Sequence, residues 1–157
     1  MISFSITDKE IDCASLREKL GTAEDGAILV FEGVVRNHNE GKAVKSLFYE
    51  ACESLANAEA ERIMTEAVFK FGLSRIVCVH RTGHLKVGDV AVFVGVSTGH
   101  RSEAFAGCRY VIDEIKHRLP IWKKEHYQDG SHEWVNCSHH EHNHQHSPKS
   151  EHGEVSV

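Results

Sequence analysis

Two long segments with helical periodicity divide this chain, and the β-rich segments around them come in pairs. The first helical segment, ESLANAEAERIMTEAVFKFG, consists mainly of helix-favouring residues and ends at Gly72. The second, HRSEAFAGCRYVIDEIKHRL, ends before Pro120, because proline cannot continue a helix. Apolar stripes predict the buried face of each helix. They comprise Leu55, Ala58, Ile63, Ala67 and Phe71 in the first, and Phe105, Cys108, Ile112, Ile115 and Leu119 in the second.

The other segments predict strands in the order βαββαββαββ, including a short early helix with Asp12 as its cap. The continuous apolar run AILVFEGVVR predicts a strand buried on both faces. The polar stretch NHNEGK predicts a hairpin or a mobile loop, HLKVG separates two later strands, and an Asp-Gly turn closes the last hairpin. Because strands come in pairs, we predict an α+β, α/β-hammerhead-like layer fold with an antiparallel or mixed sheet.

Length and composition limit the possible function classes. A chain of 157 residues with 41% apolar residues fits one globular domain, and a net charge of −5 argues against general nucleic-acid binding. The N-terminus lacks the pattern of a signal peptide, and no apolar run is long enough to span a bilayer, so we predict a cytoplasmic protein. Five scattered cysteines predict buried thiols, although a single nucleophilic cysteine stays an alternative.

The composition changes near the C-terminus. After Val135 the sequence is rich in histidine and nearly free of large apolar residues. We therefore predict a catalytic domain over 1–137 and a flexible tail over 138–157. The histidines of this tail could chelate a transition metal weakly, but a polar tail without a metal function is the preferred interpretation.

Two lysines near the end of the second long helix indicate a built site. Lys116 and Lys123 flank Pro120 and Trp122, which fix the direction of the backbone between the two cations. Alternation along the strand places Lys123 and Glu125 on one face and Lys124 on the other. If helix end and strand fold together, two neighbouring ammonium groups depress each other's pKa, which favours acid, base or nucleophile chemistry.

Other cations predict an anion site. His100 and Arg101 begin the second long helix, where free N–H groups and the helix dipole favour an anion. Alternatively, they point into solvent. Arg36 follows a buried strand, where a guanidinium fork suits phosphate or carboxylate recognition, although an arginine at a strand end is by itself more often a surface residue. Gly33 in that strand adds weight to a site, since such a glycine is typical of a bulge or of a close approach by a ligand or another backbone.

In several ordered motifs, the chain resembles the large, catalytic subunit family of molybdopterin synthase. The resemblance runs from about Gly26 to Val135 and departs in the histidine-rich tail. It rests on the order and spacing of GAILVFEGVVR, LFYEA, HRTGHLKVGDVAVFV, HRSEAF, and IKHRLPIWKKE followed by DGSHEWV.

The resemblance implies a sulfurtransferase of molybdenum cofactor biosynthesis that uses no metal and no bound organic cofactor. It implies a homodimeric core that receives a small ubiquitin-like subunit at each end, giving a heterotetramer. The C-terminal Gly-Gly thiocarboxylate of that subunit would supply sulfur to cyclic pyranopterin monophosphate, forming the dithiolene of molybdopterin. Lys116 and Lys123 would be catalytic, and the substrate site would comprise Val34, Val35, Arg36, His100, Arg101, Lys116, Lys123, Lys124 and Glu125.

The helix length adds a geometric constraint. His100 and Lys116 are sixteen positions apart, or about 24 Å at ~1.5 Å per residue. A small pterin cannot span that distance, and Gly107 more readily permits close packing than breaks the helix. We therefore predict a two-fold homodimer whose sites combine Lys116 and Lys123 of one chain with His100 and Arg101 of the other. A non-catalytic binding module and a histidine-rich metal-handling protein are the alternatives from other classes.

Overall fold

The computed structural model describes residues 1–135, so the predicted tail over 138–157 lies outside the described residues. Three helices and nine strands occur in that part of the chain. They are β1 (Ile2–Thr7), α1 (Cys13–Glu18), β2 (Ala27–Val34), β3 (His38–Asn39), β4 (Lys42–Ala51), α2 (Glu53–Phe71), β5 (Arg75–Arg81), β6 (Gly83–Lys86), β7 (Val90–Thr98), α3 (Arg101–Arg118), β8 (Ile121–Tyr127) and β9 (His132–Val135).

The strands form two sheets. The first has the order β1-β5-β7-β2, in which β1 and β5 are parallel and the other pairs are antiparallel. The second has the order β3-β4-β8-β9, with β6 also paired to β4, and its pairs are antiparallel. The predicted α+β fold with mixed and antiparallel sheets is confirmed.

Local signals place the ends of several elements as predicted. Gly72 adopts a left-handed conformation (φ 62°) at the end of α2, and Asp12 accepts a hydrogen bond from the Ser15 backbone N–H at the start of α1. Gly107 leaves α3 unbroken, and a Cβ there would approach Leu73 Cδ2 to 2.8 Å. Its role in close packing is therefore confirmed.

The prediction for β2 was wrong. This strand is an edge strand of the first sheet, paired only with β7 among the described strands, and its side chains are half-buried or exposed. Its apolar sequence did not indicate that one backbone edge of the strand would lack a neighbouring strand. Gly33 does mark a bulge, since the register with β7 shifts between Gly33 and Val34.

The helical stripes were wrong at three members. Leu55 and Phe105 are both 61% exposed and Ala58 is exposed as well, whereas Ala56 and Ala60 are fully buried. The sequence pattern predicted burial of the large apolar side chains. In the structure, α2 instead buries an alanine-rich face, which allows close packing. The NHNEGK stretch forms the predicted hairpin through β3 and β4, and HLKVG contains the additional strand β6.

A half-buried ion-pair network joins α2 to the end of α3. Arg118 donates to Glu66 at 2.7 Å, to Glu59 at 2.7 Å and to Glu114 at 3.1 Å. Hydrogen bonds from Arg118 and Tyr110 hold the pKa of Glu66 down at about 2. This network fixes the end of α3 that carries Lys116.

Candidate active site

A cavity of about 690 Å³ lies between residues of both sheets and the C-terminal half of α3. Its wall includes hydrophobic side chains of α3 and of the central strands, together with a few convergent polar groups. This composition is typical of a small-molecule site. Six of the predicted site residues line it, namely Val34, Val35, Arg36, Lys116, Lys123 and Glu125.

Lys123 and Glu125 form a buried ion pair on the inner face of β8. The Lys123 Nζ lies 3.0 Å from Glu125 Oε1, and Glu125 is only 1% exposed. Burial alone would raise the pKa of Glu125, but hydrogen bonds from Lys123 and Asn39 outweigh it and hold that pKa below its usual value. The carboxylate is therefore ionised at neutral pH and holds the Lys123 side chain in place through the ion pair.

The loop after β2 brings Arg36 to the same wall. The guanidinium of Arg36 donates to Asn39 Oδ1 at 2.9 Å, and Asn39 Nδ2 donates to both oxygens of Glu125 at 3.0 and 3.1 Å. Sequence reasoning missed Asn39. The only local signal was its position three residues after Arg36, in a stretch that reads as surface loop.

Lys116 lies on a different part of the cavity wall and differs from Lys123 in its partners. Among residues 1–135 it forms no salt bridge with a carboxylate. Its positive charge instead acts on His80, a buried residue of β5 that also lines the cavity. Lys116 is thus the cavity lysine whose ammonium group is left available.

His80 is held as a neutral imidazole. Burial lowers the pKa of His80 to about 4, and the charge of Lys116 adds to this effect. Its Nδ1 lies 2.9 Å from the carbonyl oxygen of Arg81, so Nδ1 carries the proton and Nε2 has the free lone pair. Tyr49 contacts the ring edge-on, with the centroids 5.1 Å apart. Sequence reasoning missed His80, although a histidine inside a β-branched run was an available signal.

The structure does not bring the other three predicted residues into this cavity. Lys124 points to the opposite face of β8, where its Nζ lies 5.7 Å from the centre of the Trp134 ring. His100 and Arg101 stand at the start of α3, and the helix continues without a break to Arg118. One copy of the chain therefore keeps Lys116 and the His100–Arg101 pair at opposite helix ends.

Of the four cysteines in the described part of the chain, Cys78 and Cys108 are buried as predicted, whereas Cys13 and Cys52 are half-buried. Burial raises the pKa of Cys108 to about 11, and burial together with Glu32 raises the pKa of Cys13 to about 11. Cys78 is fully buried, and burial raises its pKa still further. These three thiols stay protonated at neutral pH, when a nucleophile would need the thiolate.

Within 1–135, no group of three or more histidine, cysteine, aspartate or glutamate side chains is arranged to hold a metal ion. No helix in this part of the chain has the length and apolar character required to cross a membrane.

Sequence comparisons identify relatives over most of the chain. The family model described as MoaE protein matches residues 6–118. A molybdopterin synthase catalytic subunit from a Nostoc species is 43% identical over 134 residues, covering 85% of this chain and 81% of the relative. The corresponding subunit of Synechococcus elongatus is 46% identical, covering 71% of this chain and 70% of the relative.

Solved structures agree. The crystal structure of molybdopterin synthase from Staphylococcus aureus has a TM-score of 0.78 and 35% identity, covering 83% of this chain and 94% of that one. A subunit in a Helicobacter pylori complex of subunits 1 and 2 of molybdopterin-converting factor shares the fold, with a TM-score of 0.67 at 22% identity over 80% of this chain and 86% of that one. The extent of the family match and the identity to curated relatives show that this chain belongs to the MoaE family, that of the molybdopterin synthase catalytic subunits.

Proposed function

We propose that this chain transfers sulfur from the thiocarboxylated C-terminus of a small ubiquitin-like subunit to cyclic pyranopterin monophosphate. The observation that carries the proposal is the convergence of Arg36, Lys116 and Lys123 on one cavity of an acidic protein. Both the phosphate-bearing pterin and the thiocarboxylate are anions, and a local cationic pocket stabilises negative charge that develops during transfer. We further propose that the protein acts in the cytoplasm.

The two lysines have different roles. Lys123 is tied to the buried Glu125 carboxylate, so it supplies a fixed positive charge. Lys116 forms no such ion pair and adjoins the neutral His80, so it is the group able to promote sulfur attack and to move a proton at the pterin carbons. Arg36 binds the phosphate through its guanidinium fork. Glu125 serves as the buried anchor of this set.

A second copy of the chain would complete the site. The outer edge of β2 is unpaired among the described strands, and this strand is about 23 Å long at ~3.3 Å per residue. Its Ala27 end adjoins Thr98, close to the start of α3, and its Val34 end lines the cavity. Antiparallel pairing of two β2 edges about a two-fold axis would carry His100 and Arg101 of one chain to the cavity of the other.

Features near both ends of strand β2 support the homodimer. Phe105, in the first turns of α3, and Val34, at the cavity end of β2, are 61% and 51% exposed. In the same turn as Arg101, one carboxylate oxygen of Glu103 is buried without a hydrogen-bond partner in the described part of the chain. An open strand edge, exposed apolar side chains and an unpaired buried oxygen are all features that a partner chain would satisfy.

The small subunit would deliver sulfur by inserting its C-terminal tail into the cavity. The Helicobacter pylori structure is a complex of two subunits, which supports a partner of this kind. A Gly-Gly tail suits the route, because a backbone without side chains can approach a lysine closely. Enlarging the last glycine of the partner should block transfer before it blocks docking.

The deciding experiment combines three purified components: this chain, a thiocarboxylated small subunit and cyclic pyranopterin monophosphate. Formation of molybdopterin, with conversion of the thiocarboxylate to a carboxylate, is the expected result. A chain that binds the small subunit tightly but yields no molybdopterin would instead be a binding module. The metal-handling alternative predicts tight metal binding and no reaction with the pterin.

A further inference from the structure

Asn39 is a buried residue in an otherwise exposed segment, at the end of the short strand β3. It is 6% exposed, while its neighbours Asn37, His38 and Glu40 are all exposed to solvent. Its partner Glu125 lies 86 positions away in the sequence. Hydrogen bonds to a residue so distant in the sequence indicate a specific role for the Asn39 side chain.

The amide group of Asn39 joins two groups of opposite charge. Its oxygen accepts from the Arg36 guanidinium at 2.9 Å, and its NH₂ group donates to both carboxylate oxygens of Glu125. An amide can accept and donate at the same time, whereas an ionised carboxylate can only accept. An aspartate at this position would repel Glu125, and an alanine would remove the acceptor of Arg36 and one of the donors to Glu125.

The Glu125 carboxylate extends the connection to Lys123. Besides Asn39, it accepts from Tyr127 Oη at 2.9 Å and contacts Lys123 Nζ at 3.0 Å. The other charged groups nearby are Glu133, which accepts from Tyr127 at 3.4 Å, and Lys42, whose Nζ lies 4.8 Å from the centre of the Tyr127 ring. Arg36 and Lys123 are thus connected by two hydrogen-bonded groups, Asn39 and Glu125.

We infer that Asn39 is a positioning residue that couples Arg36 to the Lys123–Glu125 pair. It thereby fixes the positions of the Arg36 and Lys123 side chains relative to each other. This inference rests on the proposed function of the cavity. Asn39 does not need to touch the substrate. It fixes the loop that carries Arg36 to the strand that carries Lys123.

The test replaces the amide by an acid of the same shape. In Asn39→Asp, two carboxylates face each other above neutral pH, which breaks the link and should lower kcat/KM roughly 10- to 100-fold. On acidification the pair shares one proton, because two adjacent carboxylates raise the pKa of one of them. The protonated group donates as the amide did, so activity relative to wild type should recover between about pH 8 and pH 5.5.

Asn37→Asp is the matched control. It adds the same charge two residues away, at an exposed position whose side chain forms a hydrogen bond with the adjacent His38 at 2.9 Å. Its activity relative to wild type should not vary with pH in this way. Asn39→Ala should show a loss of similar size without recovery in acid. A loss in Asn39→Asp that is independent of pH, or equal to that of Asn37→Asp, would overturn the inference.

A second readout does not depend on activity. The new carboxyl group of Asn39→Asp has a pKa that is higher in the folded than in the unfolded state. The destabilisation of the fold that it causes is therefore absent at low pH and grows as pH rises. The melting temperature of this variant should therefore fall further below wild type at pH 8 than at pH 5. Adding Glu125→Gln exchanges acid and amide and should abolish that pH dependence. An unchanged pH dependence in the double variant would show that the link to Glu125 does not exist.

The two readouts separate the inference from the proposed function. A wild-type chain that transfers no sulfur would refute the proposed function. The melting-temperature comparison would then still support or overturn the Asn39–Glu125 link by itself.

Discussion

The two ends of helix α3 differ in how many of the partners that they need are supplied by one chain. At the C-terminal end, Lys116 lies on a cavity wall that also holds Arg36, Lys123 and the buried His80. At the N-terminal end, His100 and Arg101 lie beside an exposed Phe105 and a Glu103 oxygen that lacks a partner in the described part of the chain. Folding of one chain is enough to assemble the C-terminal end, whereas the N-terminal end has the features of a surface that binds another chain.

The largest effect is expected from Lys116→Ala. Removing the ammonium group should lower the rate of sulfur transfer by roughly 10²- to 10⁴-fold, because no other cavity lysine is free of a carboxylate partner. Stability should change by less than about 1 kcal/mol, since the lysine only complements the dipole at a helix end. Steady-state assays and thermal unfolding measure both quantities.

Lys70→Ala is the control for that variant. Lys70 also occupies the last turn of a helix, but it lies away from the cavity, over the ring of Tyr110. Sulfur transfer should stay close to wild type in Lys70→Ala. If the two variants were equally active, Lys116 would have no special role at its end of α3.

Mixing two inactive variants tests the comparison directly. Arg101→Ala and Lys116→Ala homodimers should both be impaired, while a mixed dimer contains one site with all its cations intact. Random exchange should therefore restore about a quarter of wild-type activity, because half of the dimers are mixed and each has one intact site. Activity is measured after subunit exchange has been verified by mass spectrometry. No recovery would mean that the two ends of α3 do not meet in one site.

A smaller effect concerns the two histidines at the two ends. The folded pKa of His80, about 4, lies below its ordinary value of 6.5. The neutral ring therefore stabilises the fold above pH 6.5, and this stabilisation is lost as pH falls toward 4, by at most roughly 3 kcal/mol. His80→Gln should flatten the pH dependence of the unfolding free energy between pH 7 and pH 4.5.

His100→Gln supplies the comparison for that measurement. His100 is exposed, so the unfolding free energy of this variant should retain the acid dependence of wild type. Urea denaturation at a series of pH values measures both curves. If His80→Gln and wild type gave parallel curves, the buried neutral state of His80 would be refuted.

The smallest effect is expected from removal of residues 138–157, which belong to neither end. This segment contains almost no large apolar residues, so its deletion should leave the melting temperature and sulfur transfer nearly unchanged. Calorimetry and the same assay measure the outcome. A large loss of activity would mean that the tail contributes to the site.

The sequence by itself determined the elements and the main functional groups. Gly72 and Pro120 ended the helices, the Asp-Gly turn closed the last hairpin, and alternation along β8 separated Lys123 from Lys124. These features depend on neighbours within four residues, so local rules are sufficient to predict them. The order of motifs also indicated the family, which the comparisons confirmed.

Only the tertiary structure decided which side chains share an environment. Asn39 meets Glu125 because β4 lies between β3 and β8, and His80 meets Lys116 because β5 and α3 enclose the same cavity. The unpaired edge of β2 likewise follows from strand order and not from its apolar run. Hydrogen bonds and burial depend on contacts between residues far apart in the chain, and local periodicity carries no information about those contacts.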